Sequence, residues 1–137
     1  MIDAQRLRTL PLFSELDSHD LGLIAARMRE VTVQAGDVLI EQGEMPADIF
    51  VLEEGTIEIT RDGTAVSTQG PGSVVGEIAL VDPQRRTATV RATTDVRAVA
   101  LSIDDFQAIV AEMPEIARDL LAIATSRLAE LDDLGER

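Results

Sequence analysis

Gly72-Ser73-Val74-Val75-Gly76-Glu77-Ile78-Ala79-Leu80-Val81-Asp82-Pro83-Gln84-Arg85-Arg86-Thr87-Ala88-Thr89-Val90 interrupts an otherwise regular β pattern. Gly76 permits a tight bend or a close backbone approach, because it has no Cβ to clash. Glu77 to Leu80 is long enough for one helical turn. The free N–H groups at the start of such a turn attract an anion by direct donation and by partial positive charge. Arg85 and Arg86 follow. Arginine suits phosphate because its planar fork donates two parallel hydrogen bonds. The chain re-enters the sheet as a strand from Thr87 to Arg91. The stretch therefore predicts a small phosphate cradle inserted in a β-roll. Glu77, an anion beside that cradle, suits a hydroxyl better than a phosphate.

On both sides of this cradle, from Glu30 to Ser102, apolar residues recur with period two. Val31-Val33, Val38-Ile40, Ile49-Val51, Ile57-Ile59 and Val99-Leu101 carry the pattern. Gly36, Gly43, Gly55, Gly63, Gly70, Gly72 and Gly76 punctuate it, and Asp62-Gly63 is a strong hairpin signal. Gly43 and Gly55 read as plain turn glycines. Many short strands with closely spaced turns predict a sandwich or barrel. No segment between them has the length and period of a crossover helix, so a parallel sheet is disfavoured.

Further out, the period changes to that of a helix. Asp17 or Ser18 can cap a helix that places Leu21, Ile24, Ala25 and Met28 on one face. Leu7, Leu10, Leu12, Phe13 and Leu16 form an apolar lead-in, and His19 reads as a solvated surface residue. After the strands, Asp104 or Ser102 can cap a helix starting near Asp105, with Phe106, Ile109 and Val110 inward. Pro114 ends it and opens a last helix from about Glu115 to Leu131. The expected fold is mainly β with flanking helices: an antiparallel, jelly-roll-like β-roll, an N-terminal helical segment and two C-terminal helices. As one domain, it divides into a helical segment 1–30, the roll 31–102 with its cassette at 72–90, a hinge helix 103–113, and a C-terminal lid helix and tail 114–137.

Composition removes several functions. The chain has 137 residues, which fits one domain with one main core. Acidic residues number 25 against 12 basic ones, giving a net charge of −13. That charge repels phosphate backbones and argues against binding nucleic acid. With no Cys there is no disulfide, thiol catalysis or cysteine-based metal site. With His19 alone, a multi-histidine metal site is excluded. No catalytic residues and no metal ligands are assigned. No run reaches the length of a membrane span. The opening Met1-Ile2-Asp3-Ala4-Gln5-Arg6 is polar and partly acidic, which predicts no signal peptide and a cytoplasmic setting. All 12 cations are Arg, a composition that hints at a GC-rich bacterial genome.

Gly76-Glu77-Ile78-Ala79-Leu80, joined to Arg86-Thr87-Ala88-Thr89-Val90, resembles the phosphate-binding cassette of cyclic nucleotide-binding domains. Such domains occur in regulatory subunits of cAMP-dependent kinase, in the bacterial catabolite activator and in cyclic-nucleotide-gated channels. Gly36-Asp37 and Gly43 through Gly55 match the family's early strands and turns, and the likeness runs from about Leu7 to Leu131. It implies a regulatory module, not an enzyme, that takes a cyclic nucleotide and no cofactor. It implies that Arg86 pairs with the phosphate while the amides of Ala79 and Thr87 bond its oxygens. Glu77 would accept from the ribose 2′-hydroxyl, helped by backbone near Gly76, with Ile78 and Ala88 completing the cradle. Thr87 resembles the cGMP-tolerant versions. The resemblance puts cAMP first and cGMP second.

Leu120, Ile123, Arg127 and Leu131 share one face of the last helix, so Arg127 interrupts an apolar stripe. Ser126-Arg127-Leu128 resembles the base-capping position of hyperpolarisation-activated channels. This makes the helix a lid, with Arg127 stacked on the purine and Leu131 shielding it. Val74 and Val75 stand where the family often has aromatics. No DNA-reading helix-turn-helix follows the roll, and the effector partner is not named by the sequence. The alternative is a ligand-free interaction domain that kept the fold. A cupin-type enzyme would need two or three histidines in the barrel, and His19 lies outside it.

Overall fold

The computed structural model describes residues 2–14, 16–45, 47–76, 88–115, 117, 118 and 122. Helix α1 (Ala4–Leu7) and a 3-10 turn (Pro11–Phe13) lead into α2 (Ser18–Ala25). Eight strands follow: β1 (Arg29–Val33), β2 (Val38–Ile40), β3 (Asp48–Glu54), β4 (Ile57–Arg61), β5 (Thr64–Gln69), β6 (Val74–Val75), β7 (Thr89–Ala92) and β8 (Val96–Ser102). Helix α3 (Ile103–Glu112) comes next, and Pro114, Glu115, Ala117, Arg118 and Ala122 are helical beyond it. Every strand pairing among the described residues is antiparallel. One sheet has the order β1-β8-β3-β6 and the other β2-β7-β4-β5. The expected β-roll with flanking helices is the fold observed.

Asp17 caps α2, its carboxylate accepting from the Asp20 N–H at 2.8 Å. Ser102 caps α3, its hydroxyl accepting from the Asp105 N–H at 2.9 Å. Of the two caps the sequence allowed, Ser102 is therefore the one used, and the helix begins at Ile103, two residues before Asp105. Val110, expected inward, is 42% exposed. The buried stripe of α3 runs through Phe106, Ile109 and Met113, and Val110 lies on its flank. The N-terminal helical segment also ends earlier than expected, since Arg29 and Glu30 already pair in β1.

Two cores lie on opposite faces of the first sheet. Leu7, Leu10, Phe13, Leu21, Ile24, Phe106 and Ile109 pack against Ile49, Val51, Val74, Val99 and Leu101. Phe50, Leu52, Val75, Ala98 and Ala100 point the other way and meet Ile40, Ile57, Val90 and Ala92 from the second sheet. Successive strand residues face opposite sides, so β3 and β8 serve both cores at once. Each fully buried Leu or Ile contributes ~1.5–3 kcal/mol from the surface removed from water. A bidentate ion pair fastens α1 to this frame. Arg6 donates from Nε and Nη2 to the two oxygens of Glu53 at 2.8 and 2.7 Å, and that carboxylate is 5% exposed. Glu30 approaches Arg6 at 3.2 Å. The Arg6 pKa is raised above the ordinary arginine value, first by the Glu53 hydrogen bond, against an opposing desolvation.

Asp62 and Gly63 close the β4–β5 hairpin with φ of 51° and 80°. Two successive positive φ values mark the turn that matches strand twist, which is why Asp-Gly occupies it. Gly55 is more than a plain turn glycine. Its φ is 90°, and a Cβ there would sit 2.2 Å from the Asp95 carbonyl oxygen. Gly43 and Gly36 have nearly the same φ and would meet nothing within 4 Å.

Candidate functional site

The chain leaves the first sheet at Gly76 (φ 84°), just after β6, and re-enters the second at Ala88, just before β7. The cassette therefore connects the two walls of the roll. Val75 pairs with Phe50, near the start of β3, and Thr89 pairs with Thr60, near the end of β4. Both ends of the cassette thus open at the same end of the roll. The β4–β5 turn and the loop between β2 and β3 lie at that end too.

Gln42 ties these pieces together. Its backbone N–H donates to Thr89 Oγ1 at 3.0 Å. Its Nε2 donates to Asp62 Oδ1 at 2.7 Å, and the Asp62 N–H donates back to Gln42 Oε1 at 2.9 Å. One side chain and one amide so bind the β2–β3 loop to the hairpin turn and to the strand that leaves the cassette. Beside them a cavity of about 170 Å³ has Ile40, Ala47 and Phe50 for apolar walls and Glu41, Glu44 and Asp48 as carboxylates. Met45, 63% exposed, lies at its edge. Arg29 holds Asp48 through two hydrogen bonds of 3.0 and 2.8 Å, which raise the arginine pKa despite desolvation.

The inner lining changes character across the second sheet. Ile57, Ile59 and Arg61 alternate along β4, and the first two pack into the roll core. Ile57 pairs with Ala92 and Ile59 with Val90, which face the same interior. On the other side Ile57 pairs with Gln69 and Ile59 with Ser67, so β5 brings polar residues to this face. Arg61 has a nitrogen, Nη1, shut away from solvent and without a hydrogen-bond partner among the described residues.

Of the residues expected to form the site, Gly76 and Ala88 are described, one just after β6 and the other just before β7. Glu77, Ile78, Ala79, Arg86 and Thr87 lie outside the described residues, as do Arg85, Arg127 and Leu131. Val74 is 5% and Val75 2% exposed, one in each core, so valines fill these positions. His19 is exposed on α2, and no described helix is long and apolar enough to cross a membrane. Gln42 and Arg61 were not singled out from sequence. Their roles depend on pairing between strands far apart in the chain, which no local pattern reveals.

The sequence model described as cyclic nucleotide-binding domain matches residues 30–113, from β1 through α3. The human potassium/sodium hyperpolarization-activated cyclic nucleotide-gated channel 4 is 31% identical over 129 residues, covering 94% of this chain. The chain spans only about a tenth of that channel's length, 10%. The N-terminal domain of a transcriptional regulator from Streptomyces coelicolor is 36% identical with a TM-score of 0.71, covering 96% of each chain. A cAMP-binding acyltransferase from Mycobacterium smegmatis is 30% identical with a TM-score of 0.74, covering 93% of this chain and 41% of that one. With a cassette spanning the two walls of an antiparallel roll and a family match over 84 residues (30 to 113), this chain belongs to the cyclic nucleotide-binding domain family.

Proposed function

We propose that this chain is a regulatory module that binds a 3′,5′-cyclic purine nucleotide at the cassette end of the roll and has no catalytic activity of its own. Arg86 pairs with the phosphate, and the amides of Ala79 and Thr87 bond its oxygens. Glu77 accepts from the ribose hydroxyl, with Gly76, Ile78 and Ala88 shaping the cradle. Arg127 and Leu131, on the final helix, close over the base. A ligand that binds the closed arrangement more tightly than the open one shifts the balance between them, and that shift is the signal. The family puts cAMP first and cGMP second; a relative described as cAMP-binding, 30% identical, supports the first. The module acts in the cytoplasm and, by itself, engages neither nucleic acid nor membrane.

One observation carries this reading. The joined motif Gly76–Leu80 and Arg86–Val90 falls in the segment that connects the two sheets, within the span matched by the family. Calorimetric titration with cAMP and cGMP tests it. At least one is expected to bind, and Arg86→Ala is expected to weaken binding by ~10-fold or more through loss of a charge-assisted hydrogen bond. Absence of binding by both nucleotides, or an unchanged affinity in Arg86→Ala, refutes it.

A further inference from the structure

Asp62 and Gly63 form the tip of the β4–β5 hairpin, and both are exposed. Among the described residues Asp62 is the one non-glycine with a positive φ, 51°. That region strains an L-residue. Gly63 has open space beside it, since a Cβ there would meet nothing within 4 Å. No other Asp of the chain precedes a glycine, and the chain has no Asn. One neighbour grips the turn from outside the hairpin. Gln42 donates from Nε2 to Asp62 Oδ1 at 2.7 Å and accepts from the Asp62 N–H at 2.9 Å.

We propose that Asp62 is a covalent modification site: it isomerises to isoaspartate through a cyclic imide with Gly63, and Gln42 is the brake on that reaction. The Gly63 amide nitrogen bonds to Asp62 Cγ and gives up its proton, while a carboxyl oxygen leaves as water. Water then adds to the main-chain carbonyl carbon of Asp62. The bond from that carbon to the nitrogen breaks, and the nitrogen regains a proton. The chain now runs through Cβ and Cγ, and the former main-chain carbonyl is a free carboxylate. Water leaves and returns, so the mass is unchanged and no other reactant is needed. A glycine nitrogen suits the first step because no side chain shields it. Exposure gives water its way in and out, and rerouting the chain releases the strain at Asp62. The nearest rival is Asp17-Ser18. There the nitrogen belongs to a residue with a side chain, and Asp17 is held as the cap of α2. Gln42 opposes the step, because ring closure takes the carboxylate out of its hydrogen bond. The product adds a methylene to a two-residue turn, so both halves of the Gln42 clasp cannot re-form. Isomerisation thus unfastens the β2–β3 loop from the hairpin.

The test is incubation of the folded chain at neutral pH over weeks. Methyl transfer from labelled S-adenosylmethionine, with an isoaspartyl methyltransferase as reagent, counts the isoaspartate. Peptide mapping locates it as a species of unchanged mass that elutes apart. Isoaspartate is expected to build up in the peptide that holds Asp62, and faster there than at Asp17. Gln42→Ala is expected to speed the build-up ~5-fold or more, the worth of the hydrogen bonds removed. Asp62→Asn reads ring closure separately: its amide leaves as ammonia, and the peptide gains mass as the amide becomes a carboxylate. Isoaspartate spread evenly over the aspartates, or found only after unfolding in urea, overturns the site. So does an Asp62→Asn chain whose mass stays constant. An unchanged rate in folded Gln42→Ala overturns the brake.

Discussion

Gly55 offers a substitution whose cost can be worked out from geometry. Gly55, Gly43 and Gly36 have φ of 90°, 91° and 92°, so an alanine at each faces the same backbone strain. That strain costs roughly 1–2 kcal/mol. At Gly43 and Gly36 a Cβ meets nothing within 4 Å, so strain is the whole effect. At Gly55 the Cβ lies 2.2 Å from the Asp95 carbonyl oxygen and 3.0 Å from Thr94 Oγ1 and Val96 Cα. Relief requires the backbone to move by about 1 Å to reach ordinary contact distance. That backbone is held, because the Ala35 N–H donates to Asp95 Oδ1 at 2.9 Å and the Thr56 N–H to Thr94 Oγ1 at 3.0 Å. Overpacking of this kind adds ~1–3 kcal/mol. Gly55→Ala is therefore expected to lose about 2 kcal/mol more than either reference alanine. Urea denaturation measures the difference as a lower midpoint at unchanged slope. Equal losses at all three positions would show that the Asp95 contact has no energetic weight.

Three further outcomes are expected. Arg6→Ala removes the main partner of a carboxylate that is 5% exposed, and the part-exposed arginine brings water close enough to soften the loss to ~2 kcal/mol. A double-mutant cycle with Glu53→Gln isolates the pair, and a coupling near zero would contradict the buried-pair account. Because the folded-state pKa of Arg6 is raised, its contribution is present below the ordinary arginine value and is lost only as pH rises through the folded value. The arginine's share of the coupling should therefore be level across the neutral range, and a midpoint near neutrality from its titration would contradict this. Thr87→Ala is expected to weaken cGMP by ~5-fold, the worth of one neutral hydrogen bond, and cAMP less. Equal losses in calorimetry would remove any selectivity role for that hydroxyl.

Strands with one wet face were legible because alternation marks them: Val31 and Val33, or Ile57 and Ile59. The boundaries of β3 and β8 were not. Ile49 through Leu52 and Ala98 through Leu101 are buried without a break, since helices cover one side and the roll interior the other. Strand β5 has a mostly polar sequence and lies at a sheet edge, so no hydrophobic signal outlined it. Helix α1, four residues long, is too short to show a period. The cassette was readable because its chemistry sits in one contiguous stretch. Gln42 and Arg61 were not, because Gln42 acts across 47 residues to Thr89 and 20 to Asp62, and the setting of Arg61 depends on register with β7.

The order β1-β8-β3-β6 has a bearing on how this chain is made. The last strand of the roll sits between the first and the third, pairing Arg29 to Val33 on one edge and Asp48 to Glu54 on the other. During synthesis, β1 has no partner strand and β3 has only the two-residue β6 until β8, ending at Ser102, has emerged from the ribosome. Among the described residues the β4–β5 hairpin is the only pairing between strands adjacent in sequence. Such late, long-range closure slows folding and leaves nascent edges open to other chains. Dependence on chaperones should thus be set by the arrival of β8 more than by the length of the protein.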